Sequence, residues 1–244
     1  ARLSGRARLS TSYIALIDFM PPPRTNNCLG VFAKHWTPGE SKTRLAASIG
    51  EHVAAALHRE FVATTLARFQ DIDAKRIVAY WPPQFDNDFR ELAPTWPRVE
   101  QCPGDLGDRL QAFFRDQFAA GFHRVVVVGS DSPNLPVECV DQAIATLDEA
   151  PIVLGPSEDG GYYLIGATST PTAALAGIPW GSASVWQTTI ARLEAAKCPY
   201  RTLPAWYDVD RQQDLLRLRK DLSKDSARDP ALKRLEAEIT RLVT

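Results

Sequence analysis

The chain alternates short apolar runs with segments in which apolar residues recur every third or fourth position. The runs predict strands, since continuous apolar and β-branched stretches bounded by polar residues or Gly suit a buried sheet. The predicted strands cover residues 29–33, 76–80, 124–129, 152–154, 162–165 and 200–203. The periodic segments predict the helices between them. Such alternation indicates an α/β fold, with a central, mostly parallel sheet flanked by helices.

The helical segments differ in how clearly they are marked. Apolar residues recur every fourth position from Leu45 to Phe61, and Gly50 is expected to divide this stripe into two helices. Residues 81–97 are rich in Pro and Asp and predict a loop. Further helices are predicted over residues 106–118, 137–147 and 184–196, with two more at the carboxyl end of the chain.

The apolar run at residues 124–129 is the strongest strand signal in the chain. Four consecutive valines lie between Arg124 and Gly129, without the alternation of a strand that has one face in water. A run of this kind is typical of a central parallel strand covered on both faces. We therefore place it in the middle of the sheet.

Composition and charge exclude several classes of protein. The chain has 244 residues, 45% of them hydrophobic and 23% charged, which excludes an intrinsically disordered protein. Its formal net charge of -1 argues against nucleic acid as a partner, because such binding needs a basic surface. No apolar run approaches the roughly 20 residues that cross a bilayer, so no membrane span is expected.

The cysteines and the amino-terminal segment bear on location and domain organisation. The four cysteines are scattered singly without metal-ligand spacing, so we expect free thiols and a cytoplasmic protein. Residues 1–27 are rich in Arg and Ser, and we interpret them as an N-terminal extension of unknown function. No linker divides residues 28–244, which we predict to be one domain.

The segment between the first predicted strand and the first helix carries three cations, Lys34, Lys42 and Arg44. A loop that enters a helix presents free backbone N–H groups, and Pro38-Gly39 permits a tight turn. These features predict an anion site suited to phosphates, although the spacing of a Walker loop is missing. A solvated basic turn is the alternative.

Carboxylates follow the strongest strand and recur near residue 210. Asp131 comes directly after the strand, where it could hold a divalent cation, or the segment could be a helix cap. Asp208 and Asp210 alternate, so they point the same way if the segment is extended. Two neighbouring carboxylates repel each other unless both are solvated or a cation lies between them.

Two further segments carry polar residues beside glycines. Glu158 and Asp159 precede Gly160 and Gly161, which permit a close approach of the backbone to a ligand, or else form a plain hairpin turn. Asp105 has the position of a helix cap. No His pairs with a Ser or Cys in the pattern of a catalytic triad, so acyl transfer has no support.

Taken in order, these segments resemble a known family, the DUF2064 glycosyltransferase-like proteins of bacteria, within the GT-A, nucleotide-diphospho-sugar transferase superfamily. The resemblance runs from Leu29 to about Leu216 and rests on the pieces FAKHWTPGESKTRL, GDLGDRL, VGSDSPNL, GPSEDGGYYLIG, GIPW and YDVD. It implies a Rossmann-like GT-A fold. The chain departs from the family pattern at His35-Trp36 and at Gly181.

The resemblance also implies roles for individual residues. Nucleotide binding would fall to Lys34, Gly39, Lys42, Arg44, Asp105 and Arg109. Asp131 would bind a divalent metal, Mg²⁺ or Mn²⁺, with help from Asp210. The sugar or acceptor side would be lined by Glu158, Asp159, Gly160, Gly161, Tyr162 and Trp180.

Three functions follow as hypotheses. The first is a metal-dependent glycosyltransferase that uses a nucleotide-sugar donor and an acceptor left open by the sequence, with Asp131 on the metal and Glu158 or Asp159 as the base. The second is a nucleotidyltransferase that acts on a nucleoside triphosphate and a phosphorylated small molecule. The third is a nucleotide-binding module without catalysis. The sequence also leaves the oligomeric state open.

Overall fold

The computed structural model describes residues 25–225 and 229–243, so residues 1–24 of the predicted N-terminal extension lie outside the described residues. Seven strands form one sheet in the order β3-β2-β1-β4-β6-β5-β7. The strands are β1 (Asn27–Lys34), β2 (Lys75–Trp81), β3 (Arg98–Glu100), β4 (Arg124–Gly129), β5 (Ile152–Pro156), β6 (Tyr162–Ala167) and β7 (Tyr200–Thr202). Every strand predicted from the sequence is present, and β3 is an addition.

Strand β4 lies in the middle of the sheet, as predicted. Its four valines are 0–3% exposed, so both faces are covered. It runs parallel to β1 but antiparallel to β6, so the expected parallel pairing holds on one side only. The reason is that β6 follows β5 through a hairpin turn and pairs with it antiparallel, whereas a parallel neighbour needs a crossover connection.

Helices cover both faces of this sheet. They are α1 (Thr43–Ile49), α2 (Glu51–Arg68), α3 (Asp86–Leu92), α4 (Leu106–Ala119), α5 (Val137–Thr146), α6 (Thr172–Leu175), α7 (Val185–Ala195), α8 (Gln212–Asp225) and α9 (Pro230–Val243). The predicted break at Gly50 is confirmed, since its φ of 88° and ψ of 151° lie outside the helical region.

The predicted loop over residues 81–97 is wrong in its middle. A 3-10 turn at Pro83–Phe85 leads directly into α3. Phe89 is fully buried and its ring packs against Tyr80 and Trp36, so one apolar side chain anchors the helix. A helix of seven residues with a single buried position is too short to give a periodic pattern in the sequence.

The core consists of two layers, one on each face of the sheet. Val126 and Val128 pack in the layer that contains residues of α2 and α5. Val125 and Val127 pack in the layer that contains residues of α4 and α7. Each fully buried valine contributes about 1.5–3 kcal/mol relative to an exposed one. This packing fixes the carboxyl end of β4 in the sheet.

A third apolar cluster joins α8 and α9 to α1 and α2. It includes Tyr207 and Val209, which are 4% and 0% exposed. Asp208 and Asp210 alternate with these two buried residues along the segment. Their carboxylates therefore point away from the apolar cluster.

All four cysteines are free, as predicted. Within residues 25–225 and 229–243, no helix combines the length and the apolar character that a membrane crossing requires.

Candidate functional site

Two neighbouring cavities open at the edge of the sheet where β1 and β4 end and β6 begins. The inner cavity, of about 370 Å³, extends between β1, β4, β6 and the start of α4. The outer cavity, of about 710 Å³, lies between α1, the hairpin turn before β6 and residues 180–185. The side chains that line both are Lys42, Leu106, Tyr162, Asp208 and Asp210. A ligand could therefore extend from one cavity into the other.

Lys42 lies where the two cavities meet. Its Nζ is 2.6 Å from Asp131 Oδ1 and 2.8 Å from Asp210 Oδ1, and its side chain is 3% exposed. The residue precedes α1 with φ 50° and ψ 40°, a left-handed conformation that costs a non-glycine residue roughly 1–2 kcal/mol. The ion pairs hold the loop in this conformation.

Backbone hydrogen bonding fixes the two aspartates relative to each other. The Val209 N–H donates to the Asp131 carbonyl oxygen over 2.9 Å. This bond ties the segment before α8 to the carboxyl end of β4. The predicted metal ligands Asp131 and Asp210 therefore lie on the same side of the site.

The ion pairs determine the charge of these groups. Burial alone would lower the pKa of Lys42, but the carboxylates of Asp131 and Asp210 raise it above its ordinary value. Desolvation acts to raise the pKa of Asp131, and the Lys42 ammonium outweighs this effect and holds the pKa below its ordinary value. Lys42 is therefore cationic and Asp131 anionic at neutral pH.

Asp208 is a partly buried acid for which no role was predicted from the sequence. Its Oδ1 accepts a hydrogen bond from Ser132 Oγ over 2.6 Å, and its Oδ2 accepts one from Ser157 Oγ over 2.8 Å. Desolvation, together with the charge of Asp131, raises the pKa of Asp208 to about 6. Its alternation with Asp210 was the available signal, and both side chains line both cavities.

His58 of α2 lines the inner cavity and was missed by the sequence analysis. Its Nε2 lies 3.0 Å from the Lys34 carbonyl oxygen, so this nitrogen carries the proton and donates. Its Nδ1 is buried without a hydrogen-bond partner, 3.9 Å from Asp131 Oδ1. Burial lowers the pKa of His58 to about 4, so the ring is neutral at neutral pH. A histidine within a helical stripe gives no separate signal in the sequence.

The other predicted phosphate-binding residues around the loop before α1 take different positions. Lys34 lines the inner cavity, and its Nζ donates to the Glu40 carbonyl oxygen over 2.5 Å. Arg44 lines the outer cavity, with Nη1 4.0 Å from Asp210 Oδ2. Gly39 lines neither cavity and forms the turn before α1, with φ 78°.

Arg109 of α4 also lines the inner cavity. Its guanidinium group stacks 4.3 Å from the centre of the Trp81 ring, and its Nε donates to the Gly104 carbonyl oxygen over 3.1 Å. Asp105 instead caps α4, since its side chain accepts a hydrogen bond from the Asp108 N–H. Asp105 lines neither cavity, so the geometry supports the helix-cap interpretation for it.

The predicted acceptor residues lie around the outer cavity, which Asp159, Gly161, Tyr162 and Trp180 line. Gly160 lines neither cavity, has φ 94°, and leaves no room for a Cβ, which would collide with the Ala183 carbonyl oxygen. The rings of Tyr162 and Trp180 meet edge to face, with centroids 6.0 Å apart.

Glu158 differs from its neighbours in the hairpin turn. Its carboxylate accepts two hydrogen bonds from Arg217 of α8, over 2.6 and 3.0 Å. These hydrogen bonds hold the pKa of Glu158 below its ordinary value. Glu158 lines neither cavity, so the structure places it apart from the predicted site, in a surface ion pair.

The positions of Asp131 and Asp210 show whether these residues could bind a divalent cation. The Oδ1 atoms of Asp131 and Asp210 converge on one position, which the Lys42 ammonium takes. Within the described part of the chain, no three His, Cys, Asp or Glu side chains are grouped to hold a metal. Mg²⁺ often takes only one or two carboxylates and completes its coordination with substrate phosphates and water. The two aspartates fit a cation bound in that way, with Lys42 moved aside.

Comparison with solved structures identifies similar folds. A protein of Desulfovibrio desulfuricans G20, whose proposed activity is nucleotide-diphospho-sugar transfer, is 34% identical and superposes with a TM-score of 0.83 over 90% of this chain and 97% of its own. CMP:2-keto-3-deoxy-manno-octonic acid synthetase, solved with CTP, has a TM-score of 0.54 and 13% identity, covering 82% of this chain and 99% of its own. A cytidylyltransferase of Leptospira borgpetersenii has a TM-score of 0.54 and 12% identity, covering 90% and 97%. The latter two likenesses show the fold alone.

Comparison of sequences gives the family. A search of curated proteins finds no match. Residues 48–182, more than half of the chain, match the family model described as an uncharacterized protein conserved in bacteria, DUF2064. The Rossmann-like sheet, the 34% identical structure and this match agree with one another. The chain belongs to the DUF2064 family and has the fold of the nucleotide-diphospho-sugar transferases.

Proposed function

We propose that this protein transfers a sugar from a nucleotide-diphosphate sugar to a hydroxyl group of an acceptor. The observation that carries this proposal is the junction of the two cavities at Lys42, Asp208 and Asp210. A transferase must hold two substrates in contact, and a pair of connected cavities with charged groups at their junction provides that arrangement.

The inner cavity suits the nucleotide. Its lining includes the apolar side chains of Phe32, Leu106 and Leu110, which suit a flat base. The lining also includes the Lys42 ammonium, which suits phosphate oxygens. Apolar surface and a cationic group in one cavity match the base and the phosphates of a nucleoside diphosphate.

The outer cavity suits the acceptor. Asp159 and Trp180 offer a carboxylate and an aromatic surface to a polyhydroxylated ligand. Asp159 is the proposed base, because it lines this cavity, whereas Glu158 is bound to Arg217 outside it.

In the proposed reaction, an acceptor oxygen forms a bond with the anomeric carbon of the sugar as the bond from that carbon to the diphosphate oxygen breaks. The acceptor proton passes to the Asp159 carboxylate, and the nucleoside diphosphate leaves. Lys42 and Arg44 would stabilise the negative charge that develops on the departing oxygen. A divalent cation held by Asp131 and Asp210 would supply further Lewis-acid stabilisation of the diphosphate.

A nucleotidyltransferase is the second candidate. It is favoured by the fold shared with cytidylyltransferases and by the exposed Arg44 and Arg211 beside the outer cavity, where a phosphorylated partner could bind. In that reaction a phosphate oxygen of the partner attacks the α-phosphorus of a nucleoside triphosphate, and pyrophosphate leaves. A non-catalytic nucleotide-binding module is the third.

The three candidate functions can be distinguished by a thermal-shift screen of nucleoside diphosphates, triphosphates and nucleotide sugars, each with and without Mn²⁺. Product analysis then follows for the ligands that bind. A ligand at a hundredfold excess over its dissociation constant stabilises the folded state by about 2.7 kcal/mol. Stabilisation by a nucleotide sugar, with release of its nucleoside diphosphate when an acceptor is added, supports the first candidate. Pyrophosphate release from a triphosphate supports the second, and tight binding without turnover of any donor supports the third.

A further inference from the structure

The ammonium group of Lys42 takes the position that a divalent cation would need. The same two atoms, Asp131 Oδ1 and Asp210 Oδ1, that would ligate a cation lie 2.6 and 2.8 Å from Lys42 Nζ. The Arg44 side chain is 59% exposed and its Nη1 lies 4.0 Å from Asp210 Oδ2, so Arg44 does not fill this position.

We propose that Lys42 and the divalent cation compete for one position between Asp131 and Asp210, so that the free protein excludes the cation and nucleotide phosphate admits it. The second half of this inference rests on the proposed function, because it is the phosphate that draws Lys42 away. The first half concerns the free protein alone.

Electrostatics explains the competition. Two positive charges cannot share the space between the same two oxygen atoms, since their repulsion is strong at such short distances. The Lys42 side chain is 3% exposed, so its ammonium cannot simply return to water when a cation approaches. It needs another anion, and phosphate oxygens in the inner cavity would provide one.

Two consequences follow for binding. The Lys42 ammonium pairs with Asp131 and Asp210 in the free protein and with the phosphates in the nucleotide complex. Its positive charge is therefore neutralised in both states. Because coupling between two ligands is reciprocal, the cation must strengthen nucleotide binding by the same factor as the nucleotide strengthens cation binding. The cation and the nucleotide are then expected to bind together.

The test measures Mn²⁺ binding to the free protein, without nucleotide, by electron paramagnetic resonance. The variant Lys42→Met keeps most of the length of the side chain and removes its charge. We expect it to bind Mn²⁺ about tenfold more tightly than the unaltered protein, or better. Adding Asp131→Asn to this variant should abolish the gain.

The matched control is Lys34→Met, which removes a charge from the same cavity without touching Asp131 or Asp210. It should tighten Mn²⁺ binding much less than Lys42→Met does. If both variants gain Mn²⁺ affinity equally, the gain comes from the lower positive charge of the whole cavity. That result would overturn the competition for one position. Circular dichroism checks folding, and Lys42→Gln, which keeps a hydrogen-bond donor between the aspartates, replaces Lys42→Met if that variant unfolds.

Unchanged or weaker Mn²⁺ affinity in the folded Lys42 variant would overturn the inference even if nucleotides bind. Conversely, tighter Mn²⁺ binding in a protein that binds no nucleotide would leave the competition standing and remove the proposed function. The two failures are therefore distinguishable.

Discussion

Lys42 Nζ lies 2.6 Å from Asp131 Oδ1, although one residue precedes the first helix and the other follows the central strand. This ion pair joins the loop after β1 to the loop after β4, and Asp210 brings in the segment before α8. Three distant parts of the chain thus meet at a single ammonium group.

Replacing Asp131 by Asn should remove the Mn²⁺-dependent part of nucleotide affinity. The amide keeps the shape of the side chain but not the charge that a divalent cation requires. We expect a loss of at least about 10–100-fold in metal affinity, the range seen when even indirect metal contacts are removed. Calorimetric titration of a nucleoside diphosphate with and without Mn²⁺ measures it. Asp148→Asn, which removes a surface aspartate from its pair with Arg124, is the control, and equal metal dependence in both variants would contradict the assignment.

Asp159→Asn should slow turnover by roughly 10²–10⁴-fold, the usual contribution of a positioned general base. Glu158→Gln serves as the matched variant in the same turn, and its turnover should stay close to that of the unaltered protein. Since the Glu158–Arg217 pair is about half exposed, that variant should lose less than about 1 kcal/mol of stability. Steady-state kinetics decides between the two acids, and a reversed order of effects would make Glu158 the base.

Ionisation of the Asp208 carboxyl should lower the free energy of unfolding as the pH rises. Its pKa is about 6 in the folded protein against an ordinary 3.8, so the folded state binds more protons than the unfolded state between these values. The stabilising contribution of Asp208 is complete below the pKa that this group has in the unfolded chain. It is lost as the pH rises through the pKa of the folded protein, by on the order of 2–3 kcal/mol.

The variant Asp208→Asn tests this pH dependence, because an amide does not titrate in this range. Urea unfolding from pH 4 to pH 7 should show the variant gaining stability relative to the unaltered protein as the pH rises. Parallel stability curves would show that the Asp208 carboxyl titrates normally.

Gly160→Ala should destabilise the fold by about 2–4 kcal/mol, because its backbone has φ 94° and the new Cβ would strike the Ala183 carbonyl oxygen. Gly161→Ala is the neighbouring control. There the nearest atom is Asp159 Oδ1 at 3.3 Å, which can move, and we expect a loss below about 1 kcal/mol. Urea denaturation of both variants gives the comparison, and equal losses would show that the close contact of Gly160 is unimportant.

Long elements were predictable because their patterns are local. The four valines of β4 and the stripe from Leu45 to Phe61 identified buried elements without any knowledge of their neighbours. Helix α3 was not predictable, because its one buried side chain, Phe89, gives no period. The direction of β6 was equally hidden, since Gly160 and Gly161 suit a ligand loop as well as the hairpin that reverses the chain.

The amino-acid sequence by itself determined the α/β class, the central place of β4, the family resemblance and ten of the residues that line the cavities. It could do so because apolar periodicity and short motifs are properties of neighbouring residues. Only the tertiary structure decided that Lys42 lies between Asp131 and Asp210, that Glu158 turns to Arg217, that His58 is buried beside Asp131, and that Ser132 and Ser157 bind Asp208. Those relationships depend on distances between segments far apart in the chain, and such distances are fixed by the packing of helices on the sheet.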